Sequence, residues 1–289
     1  MAYAFEADPA AGSFPGLDEA QAGAIGEDRV ATAISVQAPG SAVVAYPLLD
    51  GGFDLYLRRI GTMRVHPLQV KARTFLEADG RFQVGVPSLL LDPRGYVVFP
   101  YIPPPAFELD TALWAVPIPE FIKIAQPHDN GWLFSGYLDA RLPSAANEFL
   151  MAPDRLLTQW LHRIPGWTAP VPSAASSPGQ DEARAESVAR PADRAFGRFA
   201  ELWLASELMR VGLQDLVLAQ DRLRVDCVSF LLHHLPTFSV RGLVVHAATI
   251  NRRGIAEFRI RRDTFFVDPR LDVALLVCSD EPKPKLGCL

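Results

Sequence analysis

Four side chains in this 289-residue chain combine oxygen donors with an amine at spacings that can do chemistry: Glu27, Asp54, Gln69 and Lys71. Gln69 and Lys71 lie in the stretch Pro67-Leu68-Gln69-Val70-Lys71-Ala72-Arg73, where polar and apolar residues alternate. On a strand, residues two apart share a face. Gln69 and Lys71 are therefore expected side by side, with Leu68, Val70 and Ala72 turned to a core. Upstream, residues 43–49 and 53–59 read as strands joined by the turn Asp50-Gly51-Gly52. Asp54 is the one acidic residue of the second strand. Glu27 follows Gly26 in a helical stretch that places Ala31 and Ile34 on its side. Carboxylate and carboxamide oxygens suit magnesium, a hard cation that keeps several waters and needs only one or two carboxylates. A lysine beside them orients a water, helps deprotonate it, and stabilises charge that develops in a transition state.

These residues need elements to hold them. Asp18 caps a helix expected to run to about Gln37, where Pro39-Gly40 stops it. Residues 81–86 alternate as a strand, Asp92-Pro93-Arg94-Gly95 makes a turn, and 96–102 is an apolar strand interrupted by Pro100. Residues 113–118 read as a short strand leading into a helix at Pro119-Glu120-Phe121. Pro153 opens a helix expected to reach Ile164, before Pro165-Gly166. Residues 1–15 are rich in Ala, Pro and Gly and are expected to be poorly ordered. Residues 168–192 are rich in Ala, Pro and Ser and read as a linker.

After the linker the pattern starts again. An amphipathic helix (199–211) is followed by a hairpin (216–219 and 223–232), a strand (242–250), a segment like 80–86 (254–260) and a second Asp-Pro-Arg turn at 268–270. Matching Glu27 with Glu201, Asp54 with Asp226, Leu68 with Leu243 and Asp92 with Asp268 gives offsets of 172 to 176 residues. The expected organisation is a first module over 16–166, a linker over 167–192 and a second module over 193–289.

Composition narrows the class. Hydrophobic residues are 49% and charged residues 21%, the balance of a soluble globular protein with a sizeable core. A net charge of −5 argues against a uniformly basic nucleic-acid binder and leaves local patches open. Cys227, Cys278 and Cys288 form no CxxC pair and are expected as reduced thiols in the cytoplasm. No signal peptide and no membrane-spanning apolar run is indicated. His233-His234 has no partners at metal spacing, so no zinc site is expected.

On Gly26-Glu27, Gly52-Phe53-Asp54 and Leu68-Gln69-Val70-Lys71-Ala72-Arg73, in that order, the first module resembles the PD-(D/E)xK nuclease superfamily. The likeness is to its Holliday-junction-resolvase-like and type IV restriction-like branches, over about residues 18–121. It implies an α/β fold of two tandem restriction-endonuclease-like modules, each a mixed central sheet flanked by helices, with the site at one end of the hairpin. It implies metal-dependent hydrolysis of DNA phosphodiesters, with magnesium or manganese as cofactor. Asp54 is then the central metal ligand. Gln69 adds its side-chain carbonyl and Val70 its backbone carbonyl, Glu27 binds directly or through water, and Lys71 acts on the attacking water. Gln69 departs from the family pattern, where most members carry Glu or Asp. One negative charge fewer predicts weaker metal binding.

The second module departs further, because Val244 and His246 stand where the first has Gln69 and Lys71. It is expected to be catalytically inactive, a pseudo-dimer partner or a DNA-binding support. Arg252, Arg253, Arg259, Arg261 and Arg262, with Arg73, are candidate phosphate contacts, and a solvated strand face explains the arginine cluster equally well. The alternative is a non-catalytic nuclease-fold protein that binds DNA or a protein partner, and fold alone does not choose.

Overall fold

The computed structural model describes residues 19–48, 51–109, 112–128, 131–165, 167, 191–210, 215–221, 228–249, 256, 258 and 268–278. The architecture is mixed α/β, built on a large mixed sheet with few helices. The chain divides into two compact units. The first comprises Met1–Val44, Asp50–Leu57 and Val65–Thr168, and the second comprises Ala45–Leu49, Arg58–Arg64 and Ala169–Leu289. Two short pieces of the early hairpin thus group with the second unit, where a boundary near residue 167 had assigned the whole hairpin to the first.

The first unit begins with α1 (Glu19–Gln37), which buries Gly26, Val30, Ala31 and Ile34 along one stripe. Its strands are the first parts of β1 (Ala42–Pro47) and β2 (Leu55–Arg59), then β3 (Val65–Val70), β4 (Arg81–Val86), β5 (Tyr96–Pro100) and β6 (Leu113–Pro117). Helix α2 (Ile118–Ile124), β7 (Gln126–His128), β8 (Gly131–Tyr137) and β9 (Leu150–Met151) follow, and α3 (Leu156–Gln159) closes the unit. Strand neighbours run β1-β2-β3-β5-β6-β9, and β4-β8-β7 form a separate small sheet. β3 and β5 are parallel, with Leu68 opposite Tyr96 and Gln69 opposite Val97. The crossover between them carries β4, whose Phe82, Val84 and Val86 are buried, as the period-2 pattern predicts.

Aromatic packing ties the small sheet to β5 and β6. Phe99 and Phe134 stack with centroids 3.9 Å apart, and Phe82 lies 4.9 Å from Trp114. Each such buried side chain contributes about 1.5–3 kcal/mol of burial free energy. At the other face α1 comes close to the end of β3. A Cβ built on Gly26 would lie 2.4 Å from the Ala72 Cβ, a distance only glycine permits.

The expected helix from Pro153 to Ile164 is broken. Single 3-10 turns at Pro153–Arg155 and Leu161–Arg163 flank the four residues of α3. Leu156, Trp160, Leu161 and Ile164 are all buried, at a spacing one continuous helix would also bury, so the burial pattern does not account for the break. β7, β8 and β9 were not expected from the sequence.

The second unit contains α4 (Pro191–Arg210), β10 (Leu216–Asp221), β11 (Phe230–His234), β12 (Ser239–Thr249) and β13 (Leu271–Cys278). α4 starts inside the stretch read as linker and packs Ala200, Leu204 and Ala205 on Leu218, Phe230, Leu243 and Leu276. β10, β11 and β12 pair antiparallel in turn, and β12 pairs parallel with β13, Leu243 opposite Asp272. Residues 1–15, the remainder of the linker and most of 254–260 lie outside the described residues.

An Asp-Pro-Arg turn precedes the parallel partner in each unit. Asp92 Oδ1 accepts from Arg94 N and Nε at 2.9 and 3.0 Å, and its Oδ2 takes Arg94 Nη2 at 2.6 Å. Asp268 receives the same three bonds from Arg270 at 2.9, 2.9 and 2.8 Å. Asp139 and Arg141 repeat this fork elsewhere, so the turn is a local device and the strand registers are the more telling likeness.

Two outcomes follow from this packing. Gly26→Ala should cost the first unit about 1–3 kcal/mol, read as a lower urea midpoint, because backbone and Ala72 must move apart. The second concerns Asp268, whose carboxyl the Arg270 guanidinium bonds hold below its ordinary 3.8, against partial burial that pulls it up. A depressed folded pKa stabilises above the unfolded value and loses that stability as pH falls through the folded one. Urea midpoints of the second unit should fall below about pH 4, and Asp268→Asn should flatten that fall. An equal fall in both proteins would refute it.

Candidate functional site

The site is built where β2 begins and β3 ends. Asp54 precedes β2, and its N–H donates to Leu68 O at 2.9 Å, closing the last backbone rung. The next donor on that edge of β3, Val70 N–H, lies past the start of β2. The Asp54 side chain takes it, with Oδ2 accepting at 2.6 Å. On its other edge β3 stays paired beyond Val70, because Lys71 N donates to Val98 O at 2.9 Å and Arg73 N to Pro100 O at 3.2 Å. Asp54 therefore lies against Val70, between Gln69 and Lys71 in the chain.

Gln69 is only 3% exposed, so β3 is covered on the face expected to be polar. Its Nε2 donates to Ser88 O at 3.1 Å. Its Oε1 is buried and has no donor among the described residues. An unpaired buried carbonyl costs about 1–3 kcal/mol, which calls for a reason. Lys71 is half-buried at the strand end. Glu27, also half-buried, follows Gly26, the residue in contact with Ala72. The Gly26–Ala72 contact thus brings the Glu27 turn of α1 to the same end of β3.

The second unit has the same backbone device with a different side chain. Ser229 N donates to Leu243 O at 2.9 Å, and Val245 N donates to Ser229 Oγ at 3.1 Å. The counterpart of Asp54 is therefore Ser229, at the offset of 175 shared by Leu68 with Leu243, Gln69 with Val244 and Lys71 with His246. Asp226, the residue expected to match Asp54, lies outside the described residues. The uniform spacing was the available signal, since the match to Asp226 needed a shift of three. Val244 is buried at 1% exposure. His246 is half-buried, its Nε2 has no partner among the described residues, and loss of solvent pushes its pKa down. Glu201, matched to Glu27, is 7% exposed on α4.

The remaining candidates divide. Arg73 donates from Nε to Gln83 O at 2.8 Å and sits 4.7 Å from the centre of the Phe75 ring, so it braces the β3–β4 crossover. Arg252, Arg253, Arg259, Arg261 and Arg262 lie outside the described residues. Among the described residues no three His, Cys, Asp or Glu side chains gather as a metal cluster. A cation at the β3 end would instead draw on the carboxylate of Asp54 and the open carbonyl of Gln69, oxygen donors of the type magnesium takes. No helix among the described residues is long and apolar enough to cross a membrane. In comparisons with known proteins, no family model, no curated protein and no solved structure matches this chain.

Proposed function

We propose that the first unit is a metal-dependent DNA nuclease of the PD-(D/E)xK type, acting at the end of β3. One observation carries this reading: the Asp54 carboxylate is fixed on the backbone of Val70, and the preceding residue, Gln69, holds a buried carbonyl oxygen, Oε1, that lacks a donor among the described residues. The hydroxyl of Ser229 makes the corresponding backbone bond in the second unit, so the negative charge at 54 serves something other than the strand. Asp54 and Gln69 would hold magnesium or manganese, with Glu27 and the Val70 carbonyl as further oxygens. The ion supplies positive charge against the scissile phosphate. Asp54 is oriented by Val70 N–H, and Gln69 is oriented by Ser88 O. Lys71 orients the attacking water and stabilises charge on the phosphate oxygens.

The two units are read as tandem copies of one module. The parallel registers Leu68–Tyr96 and Leu243–Asp272, and the paired caps Asp54–Val70 and Ser229–Val245, support that reading. The second copy, with Ser229, Val244 and His246 at the matching positions, lacks the donor set and serves as a pseudo-dimer partner or DNA-binding support. The absence of CxxC spacing fits a reducing cytoplasm. A second reading, a non-catalytic nuclease-fold protein that binds DNA or a protein partner, is favoured by the missing three-residue metal cluster among the described residues.

Cleavage of linear duplex, single-stranded and branched DNA with magnesium or manganese tests the proposal. Lys71→Ala should abolish cleavage and leave the fold intact. Asp54→Ser should also abolish it, with stability held within about 0.5 kcal/mol because serine can keep the Val70 bond, whereas Asp54→Ala should cost about 1 kcal/mol more. Undiminished cleavage by Lys71→Ala would sink the mechanism. Gln69→Glu should bind manganese more tightly by calorimetry, since it adds a ligand charge. A wild type that cleaves none of these substrates, beside a Gln69→Glu variant that does, would establish the second reading.

A further inference from the structure

The outer face of the small sheet in the first unit carries a separate polar cleft. Arg81 pairs opposite Tyr137 and Gln83 opposite Ser135, while Phe82 and Phe134, one residue along, are buried in the aromatic core. Alternation therefore turns Arg81, Ser135 and Tyr137 away from that core. The segment 139–147 walls the cleft and is held by its own hydrogen bonds. Asn147 Nδ2 donates to Ala140 O at 3.1 Å and to Leu142 O at 2.7 Å, and Ala146 N donates to Ser144 Oγ at 3.1 Å. The wall is thus preformed.

The open cleft has a volume of about 240 Å³; its polar groups come from Arg81, Gln126, Ser135, Tyr137 and Ser144, and the rest of its lining, from Ile124 and Leu133 to the small residues of the wall, is apolar. That is below the roughly 300–1,000 Å³ of sites for drug-sized ligands, so it suits one small group. Among the described residues, Arg81 supplies the one charge on the lining, and no carboxylate lines it. Arg81 Nη2 meets Asp79 Oδ2 at 3.1 Å in a largely exposed pair. Its Nε is buried and has no acceptor among the described residues. A guanidinium with an open N–H, three hydroxyls and a carboxamide make a set rich in donors.

We propose that this cleft binds a phosphoryl oxyanion, with Arg81 as the charged anchor and the hydroxyls of Ser135, Tyr137 and Ser144 as further donors. Arginine forks match phosphate geometry, and charge-assisted bonds of this kind are about twice as strong as neutral ones. The inference stands apart from the nuclease reading. The phosphoryl group has two sources, a free small phosphorylated molecule or the backbone of a nucleic-acid strand. The second is within reach because Arg73, two residues beyond Lys71, bonds to Gln83, two residues from Arg81 on β4.

Calorimetric titration of the full chain with inorganic phosphate, at constant ionic strength, tests it. Saturable binding is expected, weakened at least about tenfold in Arg81→Met. Ser135→Leu, which fills the cleft without touching the arginine, should weaken it as well. The Arg81 side chain is 40% exposed, so its truncation leaves no buried group stranded. Arg141→Met removes a neighbouring arginine that is paired with Asp139 and does not line the cleft, and should bind as the wild type does. An oligonucleotide without terminal phosphates that displaces inorganic phosphate identifies the backbone as the source, and one that does not identifies a free small molecule. Absence of saturable binding would overturn the proposal. So would equal binding in wild type, Arg81→Met and Ser135→Leu, or a comparable loss in Arg141→Met.

Discussion

The hydrogen bond from Val70 N–H to Asp54 Oδ2 meets two demands with one side chain. A sheet strand that outlasts its neighbour leaves a backbone donor open, and a buried open donor is costly. The Asp54 carboxylate closes that donor at 2.6 Å, and the bond also fixes the carboxylate against the backbone between Gln69 and Lys71. Everything proposed for the β3 end depends on this. An aspartate free to rotate would not hold an ion, and an unfilled Val70 N–H would loosen the strand that carries Gln69 and Lys71.

The strand is in turn held from three sides. Pairing with β5 continues past Val70 through Lys71 and Arg73, so the lysine is placed by backbone hydrogen bonds as well as by its neighbours. Arg73 reaches the β4 backbone at Gln83, linking the strand end to the small sheet. That sheet is anchored by the stacked Phe99–Phe134 pair and by Phe82 against Trp114. On the remaining side, Gly26 lets α1 approach Ala72 closely enough to bring Glu27 in. Where Pro67 has no N–H to offer the Arg94 carbonyl, His66 Nδ1 meets that oxygen at 3.0 Å. In the second unit Gly242 N–H makes the corresponding bond to Arg270 O at 2.8 Å.

How much of this was legible depended on whether one physical signal dominated. α1 and β4 were readable because each alternates at a single period with clear stops, and their observed bounds differ from the expected ones by at most a residue. β7 escaped because all three of its residues are exposed and the middle one is proline, so no burial pattern marks it. β8 carries glycine at 131 and 136, which blurs its alternation. The stretch from Pro153 looked helical from its opening proline, and it folds as four helical residues between two 3-10 turns. At the candidate site the order of Glu27, Asp54, Gln69 and Lys71 was visible. The burial of Gln69 was not, because alternation assigns faces without saying what covers them. Ser229, which accepts the Val245 N–H, was not singled out because the sequence comparison followed residue type to the acidic Asp226.

The cost at Gln69 sharpens its meaning. A buried carbonyl without a donor sacrifices about 1–3 kcal/mol, a sizeable part of the roughly 5–15 kcal/mol that holds a domain folded. The corresponding backbone device in the second unit does without that cost. At the matching place on β12 stands Val244, 1% exposed, an apolar side chain with no oxygen to satisfy. A valine or leucine at 69 would relieve the first unit in the same way. Stability alone therefore argues against the glutamine, and so does β-propensity, which favours branched apolar residues in covered central strands. What the glutamine adds is an amide locked to Ser88 and a buried carbonyl oxygen left open, one residue before the Val70 N–H that Asp54 accepts. On the proposed reading, that open oxygen is what the glutamine contributes to the site, in return for a weaker strand.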